Sequence, residues 1–294
     1  RPTGDGIGKI EFNSNLAHLY AHFVRHTIDT SLEGLTIVYD GANGAASSVG
    51  PEILSGLGAK VININVNPDG LNINHHCGST HIEGLQVAVQ QHNADLGIAN
   101  DGDADRCLLV DEKGQVLDGD QIMLLCALKL KEEGKLKGDT IVGTVMSNIG
   151  FHKAAEELRM KTVSTAVGDR YVLEYMREHN LSVGGEQSGH VVIMDYNTTG
   201  DGQLTGVQLT KIMQETGKKL SELATEVTIY PQKLVNIRVE NSMKDKAMEV
   251  PAIREIIENY AFGISINCDG YFWNINQRHL ANSWCGRFSS FYWD

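Results

Sequence analysis

Strand-like and helix-like segments alternate along most of this chain, and that alternation limits the folds open to it. The β-branched run at residues 37–40 is followed by a glycine-rich turn at 41–44 and a helix-like stretch. The same rhythm returns later in the chain, with strand-like runs at 141–145 and 162–165. Strands that alternate with helices usually pair in parallel, because each crossover helix packs on the sheet that it connects. The sequence therefore predicts an α/β fold with two consecutive three-layer α/β/α domains and mainly parallel sheets.

The length of the chain supports more than one domain. Its 294 residues exceed one typical core, and 41% of them are hydrophobic. We expect one domain at residues 1–115, a second at 116–231, and an irregular C-terminal remnant at 232–294. That remnant contains a helix-like segment at 251–259, and the aromatic-rich tail after it shows no strand or helix period.

Charge and composition exclude several classes of partner. The net charge of −12 argues against nucleic acid or an anionic membrane surface. No apolar run approaches the roughly 18 residues of a membrane span, and no secretory leader opens the sequence. The five cysteines lack paired spacing, which fits reduced thiols better than a disulfide framework. We therefore expect a cytoplasmic protein that binds neither nucleic acid nor membrane.

The strongest chemical signal is an acidic run at residues 100–106. Asp101, Asp103 and Asp105 alternate with small residues directly after a strand-like stretch. Three carboxylates so close repel one another, and a hard divalent cation offsets that repulsion. Mg²⁺ commonly combines protein carboxylates with the phosphate oxygens of a substrate. The run therefore predicts a Mg²⁺ site that serves phosphate chemistry.

Two other metal sites compete with this interpretation. The aspartates with Glu112 match positions of a calcium-binding helix–loop–helix, but Arg106 stands where that loop needs glycine. The following residues also predict a hairpin that turns at Lys113-Gly114, where the calcium site needs a helix. A zinc site is the second alternative, although its four crowded candidate ligands lack paired spacing: His75, His76, Cys77 and His81.

Two further loops carry polar side chains suited to a substrate. The glycine-rich loop at 184–190 contains Glu186, Ser188 and His190, which suit the hydroxyls of a sugar. The alternative is a hairpin whose polar residues only face water. The loop at 165–171 opens a helix, where Arg170 either reaches an anion or is an ordinary surface residue. The turn at 40–44 is a weaker phosphate-loop candidate, since no Lys-Ser/Thr pair follows it. We also expect a capping box at 80–83 to start a helix.

Taken together, the motifs at 101–106, 185–190 and 167–170 resemble those of the α-D-phosphohexomutases. The segments at 1–8, 78–81 and 198–202 look like the bacterial phosphoglucosamine mutase branch of that family, and the match covers roughly residues 1 to 259. Ala104 stands where the family usually has glycine.

The resemblance implies a four-domain isomerase of which this chain holds the second and third domains, with 232–294 as a truncated or aberrant start of the fourth. The complete enzyme would interconvert glucosamine 6-phosphate and glucosamine 1-phosphate through a phosphoserine and a bisphosphate intermediate, with Mg²⁺ as cofactor. The phosphoserine belongs to a domain that should precede Arg1. The expected phosphate loop Arg-x-Ser-Gly-Thr-Glu-Pro does not occur in the sequence. We therefore expect this chain alone to be inactive. A phosphomannomutase or phosphoglucomutase, or an inactive metal-binding fragment, remain alternatives.

The resemblance also implies roles for individual residues. The three aspartates would hold Mg²⁺, and Arg106 would brace the metal loop or the donor phosphate. Glu186 and Ser188 would bind sugar hydroxyls, and His190 would assist proton transfer or bind the sugar. Arg170 would contact the phosphorylated hexosamine substrate. Gln187 favours an amino sugar, because related enzymes acting on mannose or glucose often have methionine there.

Overall fold

The computed structural model describes residues 3–8, 11, 13, 15–235, 251, 264–267 and 272–276 of the chain. Two α/β units with helices on their sheets follow each other, so the predicted fold class is confirmed. Among these described residues, none of the helices combines the length and apolar character that crossing a membrane requires.

The first unit is built on a five-stranded sheet in the order β2-β1-β3-β4-β5. Its strands are β1 Thr36–Asp40, β2 Lys60–Ile64, β3 Leu96–Asn100, β4 Cys107–Asp111 and β5 Val116–Leu117. β1 pairs in parallel with β2 and β3, whereas β4 and β5 form the antiparallel hairpin that the sequence predicted. β3 is buried along its whole length, because both faces of the central strand are covered. The helices of this unit are α1 Asn15–Arg25, α2 Val49–Gly56 and α3 Glu83–Gln91.

The second unit repeats the arrangement with four strands in the order β7-β6-β8-β9. The strands are β6 Thr140–Thr144, β7 Lys161–Thr165, β8 Val183–Gly185 and β9 Val191–Ile193. β6 pairs in parallel with β7 and β8, and β9 closes the edge as an antiparallel strand. The helices are α4 Gly119–Glu132, α5 Ile149–Glu157, α6 Asp169–Glu178, α7 Gly202–Thr216 and α8 Leu220–Leu223.

Helix α7 joins the two units. Residues 202–213 of this helix are all buried, whereas an amphipathic surface helix would expose one face. The helix packs against β3 and β4 of the first sheet and against β9 of the second. One hydrophobic core cluster accordingly contains residues of both sheets, such as Ile98 and Ile141.

The segment at 232–294 contains regular strands where the sequence predicted an irregular remnant. β10 Gln232–Val235, β11 Ile264–Asn267 and β12 Phe272–Asn276 pair antiparallel in the order β10-β12-β11. Apolar and polar residues alternate in β11, and this short period of two is hard to recognise beside an aromatic-rich stretch. The expected helix at 251–259 lies outside the described residues, apart from Pro251.

The start of α3 and the domain boundary are two places where local structure bears on a sequence prediction. The capping box predicted at 80–83 is wrong, because α3 begins at Glu83 after Ile82 and has no side-chain cap. Residues Gly78–Thr80 form a separate 3-10 turn, and the Thr80 hydroxyl bonds locally to the Cys77 carbonyl. The domain boundary predicted between residues 115 and 116 stays a prediction. β5 pairs with β4 beyond it, and Asp118 then caps α4 through the backbone N–H of Gln121.

Candidate metal centre and sugar loop

The three aspartates of the acidic run converge on one point. One carboxylate oxygen from each of Asp101, Asp103 and Asp105 lies within 4.8 Å of the others. Asp101 is buried, Asp105 is half-buried and Asp103 is exposed. Within the part of the chain that the structure describes, no other group of three or more His, Cys, Asp or Glu side chains converges in this way. The group follows β3 and precedes β4, so the flanking helices of a calcium-binding motif are absent from it.

Backbone hydrogen bonds shape the metal loop, which we define as residues 101–106. The backbone N–H of Arg106 donates to Asp101 Oδ1 at 3.1 Å, and that of Ala104 donates to the Asp101 carbonyl at 3.1 Å. The carbonyl of Gly102 accepts from Ala45 in the β1–α2 turn at 2.8 Å. Ala104 has a φ of 63°, a left-handed conformation that favours glycine. The loop is therefore tightly fixed and carries backbone strain at Ala104.

The electrostatics of the loop fit a bound cation. The pKa of Asp101 is raised to about 6, mainly by burial and then by the charges of Asp105 and Asp103, against a lowering by the Arg106 backbone N–H. Arg106 Nε lies 3.7 Å from Asp101 Oδ2 and 3.9 Å from Asp105 Oδ1, so its charge offsets only part of the repulsion. Asp105 Oδ1 and Arg106 Nε are both buried without a hydrogen-bond partner. An all-oxygen donor set with an unpartnered carboxylate oxygen suits a hard divalent cation.

His190 connects the sugar loop, residues 184–190, with the metal loop. Its Nδ1 lies 3.0 Å from Asp105 Oδ2, and since an ionised carboxylate only accepts, the ring donates. The residue is 4% exposed, and its ring packs so closely on Gly200 that no side chain would fit at position 200. The structure therefore brings His190 together with the aspartates, where it orients one of them.

The other polar residues of the sugar loop differ in their hydrogen-bond partners and in their exposure. Glu186 Oε1 accepts from the backbone N–H of Gly168 at 2.8 Å, ahead of α6, and Ser188 is exposed. Gln187 Nε2 donates to Asp118 Oδ2 at 3.1 Å and to Gln232 Oε1 at 3.3 Å. The amide nitrogen of Gln187 is thus bound to protein atoms, which weakens the sequence argument that it selects an amino sugar.

Arg170 is an exposed residue that pairs with a neighbour on its own helix. Its side chain is 79% exposed and forms an ion pair with Glu174 one helical turn away, at 2.7 Å. Nothing in this geometry directs it to the metal loop, so a substrate contact by Arg170 stays a prediction.

Two weaker candidates have structural explanations. The turn at 40–44 is shaped by the buried Asp40, whose carboxylate accepts from the backbone N–H groups of Ala42 and Gly78 and from the Asn65 amide. The Asp40 carboxylate therefore already uses the N–H donors of this turn that a bound phosphate would need. In the zinc candidate, the histidine rings contact one another. The ring centroids of His75 and His76 are 4.4 Å apart and those of His76 and His81 are 5.5 Å apart. Among the described residues, these side chains do not form a group that could hold a metal ion.

Sequence reasoning missed the buried polar residues beneath the metal loop. Asn100, Tyr39 and Gln203 form a hydrogen-bonded cluster there. Asn100 offered a signal, because an amide that ends an apolar strand directly before the aspartates needs a partner when buried. Gln203 offered none, since its partners are more than 100 residues distant in sequence.

Comparison with known proteins agrees with this arrangement of two units. The family domain described as "Phosphoglucomutase/phosphomannomutase, alpha/beta/alpha domain II" matches residues 16–114. The corresponding "alpha/beta/alpha domain III" matches residues 118–230. The chain belongs to the α-D-phosphohexomutase family. Its metal loop lies in the second of that family's domains and its sugar loop in the third.

Relatives within the phosphohexomutase family are similar over most of this chain. Phosphoglucosamine mutase from Streptococcus gordonii is 58% identical over 259 residues, covering 88% of this chain and 57% of that protein. Phosphoglucosamine mutase from Streptococcus agalactiae serotype III is 56% identical over 257 residues, covering 87% and 57%. The chain therefore spans a little over half the length of these relatives.

Solved structures of phosphohexomutases share the fold. A phosphoglucomutase/phosphomannomutase family protein from Burkholderia thailandensis has a TM-score of 0.69 at 26% identity, over 79% of this chain and 51% of that chain. N-acetylphosphoglucosamine mutase from Aspergillus fumigatus, in complex with GlcNAc-6P and magnesium, has a TM-score of 0.65 at 19% identity, over 86% and 64%. At that identity the second likeness concerns the fold alone.

Proposed function

We propose that this chain supplies the metal-binding and sugar-binding portion of a phosphoglucosamine mutase. The complete enzyme interconverts glucosamine 6-phosphate and glucosamine 1-phosphate through a phosphoserine and a bisphosphate intermediate. The observation that carries the proposal is the convergence of Asp101, Asp103 and Asp105 next to a loop that contains Glu186 and Ser188. The identity of 56–58% to phosphoglucosamine mutases supports the choice of substrate class. Soluble sugar phosphates as substrates favour the cytoplasm as its location.

The chain's own residues would hold and neutralise the reacting groups. Asp101, Asp103 and Asp105 would bind Mg²⁺, which supplies positive charge to the transferring phosphoryl group. Arg106, which lies within 4 Å of two of these carboxylates, would limit the movement of the loop and face the donor phosphate. His190 would keep Asp105 in position through its ring N–H.

The sugar would bind on the neighbouring loop. A carboxylate accepts several hydrogen bonds, so Glu186 can retain the Gly168 N–H and accept from a sugar hydroxyl as well. The exposed Ser188 hydroxyl donates and accepts, which suits both orientations of a bisphosphate intermediate. We also propose that the phosphoserine donor lies outside this chain, so that the chain binds the intermediate without turning it over.

Calorimetric titration of the purified chain with glucosamine 1,6-bisphosphate, in the presence of Mg²⁺, tests the proposal. We expect measurable binding, and we expect Glu186→Gln to weaken it by about tenfold, since a hydrogen bond to a charged group contributes roughly 1.5 kcal/mol or more. Glu178→Gln is the matched control, because the exposed Glu178 ends α6 at the opposite end from Gly168.

The same titration separates the alternatives. Tighter binding of mannose or glucose 1,6-bisphosphate would favour a phosphomannomutase or phosphoglucomutase. Mg²⁺ binding without any sugar bisphosphate binding would leave only a metal-binding fragment, and the proposed function would be wrong.

A further inference from the structure

A buried hydrogen-bonded cluster lies between α7 and the metal loop. Gln203, on the first turn of α7, is 5% exposed, and its Nε2 donates to Asn100 Oδ1 at 2.5 Å and to the Tyr39 hydroxyl at 2.8 Å. The Tyr39 hydroxyl lies 2.9 Å from Asn100 Oδ1. Tyr39 and Asn100 are both completely buried. Because water does not reach these groups, each polar atom depends on the others for its hydrogen bonds.

Asn100 ties the two ends of the metal loop together. Its Nδ2 donates to the Arg106 carbonyl at 2.8 Å, across the base of the loop. The backbone N–H of the same Arg106 donates to Asp101 Oδ1. Both backbone polar groups of Arg106 are therefore used to set the distance between the first aspartate and the end of the loop.

The start of α7 rests directly on this loop. The backbone N–H of Gly202 donates to the Ala104 carbonyl at 3.0 Å. A Cβ at position 202 would overlap the Arg106 carbonyl and Asn100 Nδ2, so only glycine permits this approach. Asp201 caps the helix through the Leu204 N–H and accepts from the Tyr20 hydroxyl of α1 at 2.6 Å. The first turn of α7 is thus fixed in place, and Gln203 with it.

Gln203 and the Arg106 carbonyl fix the orientation of the Asn100 amide from opposite sides. A tyrosine hydroxyl can donate or accept, and Tyr39 has a second acceptor in the Ala46 carbonyl at 3.3 Å. Tyr39 alone would therefore tolerate Asn100 with its oxygen and nitrogen exchanged. Such an exchange would place Oδ1 against the Arg106 carbonyl oxygen, where two acceptors repel each other. The amide N–H groups of Gln203 can only donate hydrogen bonds, so the Asn100 atom that faces them must be the oxygen.

We propose that Gln203 is a positioning residue for the metal centre. Through Asn100 it holds the Arg106 carbonyl, and so it sets the spacing of Asp101, Asp103 and Asp105, although it touches none of them. The inference rests on the proposed function, because it assumes that these aspartates bind Mg²⁺. It assigns to α7 a part in metal affinity in addition to its packing between the two units.

The test compares Gln203→Met with Gln208→Met. Both glutamines lie on α7 and are buried, at 5% and 8% exposure, but Gln208 donates to the Thr27 hydroxyl, away from the loop. Two quantities are measured on the whole chain for each variant. The first is the Kd for Mg²⁺ by titration calorimetry, and the second is the hydrogen-exchange rate of backbone amides 104–107 without metal.

We expect both variants to lose thermal stability, because each loses a buried hydrogen-bond donor. Only Gln203→Met should weaken Mg²⁺ binding, by about tenfold or more, as is typical when a residue behind the ligands is lost. Only Gln203→Met should accelerate exchange at amides 104–107 in the metal-free chain.

Equal Mg²⁺ affinities and equal exchange rates in the two variants would overturn the inference and leave the metal site intact. Failure of the unsubstituted chain to bind Mg²⁺ would instead refute the metal centre in the proposed function. The exchange comparison, which needs no metal, would then still decide whether Gln203 orders the loop.

Discussion

Replacing Asp103 by Asn should change stability in opposite directions with and without metal. Asp103 is the exposed member of the aspartate group, so its loss leaves the packing of the loop unchanged. Its carboxylate lies within 4.8 Å of the other two, and each like-charge pair at that distance costs about 1 kcal/mol in water. Salt screening reduces this amount, so we expect the metal-free variant to gain roughly 1 kcal/mol, or about 2–4 °C in Tm for a chain of this size.

Mg²⁺ should reverse the order of the two proteins. A ligand at 100 times its Kd stabilises the folded state by about 2.7 kcal/mol, so the unsubstituted chain should gain several degrees in Tm. Asp103→Asn lacks one of three carboxylate ligands and should gain less than half as much at the same Mg²⁺ concentration. Asp29→Asn, at an exposed aspartate outside the loop, is the matched control and should respond to Mg²⁺ as the unsubstituted chain does.

Differential scanning calorimetry at several Mg²⁺ concentrations measures all three proteins. Two results would refute the reasoning: an equal Mg²⁺ response in Asp103→Asn and the unsubstituted chain, or a metal-free Asp103→Asn protein that is less stable. The first would remove Asp103 from the metal site. The second would show that its carboxylate stabilises the loop in a way the structure does not reveal.

Three further predictions concern strain, pH and activity. Ala104→Gly should raise the free energy of unfolding by about 0.5–1 kcal/mol in urea denaturation, because relief of the left-handed strain exceeds the added chain entropy; a loss of stability would contradict this. Burial, together with the charge of Asp118, raises the pKa of Asp120 to about 7. The folded chain therefore favours the protonated acid, and the free energy of unfolding should fall by up to about 4 kcal/mol as pH rises from about 4 to 7. That slope should be absent from Asp120→Asn, and an unchanged slope would refute its assignment. The chain alone, given glucosamine 6-phosphate, Mg²⁺ and a sugar bisphosphate, should form no product in a coupled assay, and steady turnover would show that it needs no further domain.

The parts predicted well from sequence are those with a local physical signal. The β3 strand, the hairpin at Lys113-Gly114 and the convergence of the aspartates follow from patterns a few residues long. The burial of α7 and the role of its polar residues depend on contacts that no local pattern contains. The apolar/polar period of α7 is weak because both sides of the helix are covered.

Contacts between distant segments also decide the surroundings of individual site residues, which local sequence patterns do not contain. Sequence could place His190 near a substrate, but only the fold shows that its ring is buried against Asp105. For Gln187, resemblance to related enzymes favoured an amino sugar, and that role stays a prediction. Its partners, Asp118 and Gln232, come from two other segments of the chain.

The position of α7 also bears on how the chain acquires its fold during synthesis. β3 and β4 are complete by residue 111, but the helix that covers them ends only at Thr216. For roughly a hundred residues of synthesis, at about 5–20 residues per second, β3 and β4 lack the native contacts that α7 makes with them. Contacts so distant in sequence form slowly, since the intervening chain must first be ordered. The nascent first unit therefore exposes apolar surface on β3 and β4 until the second unit has emerged and α7 has packed against them.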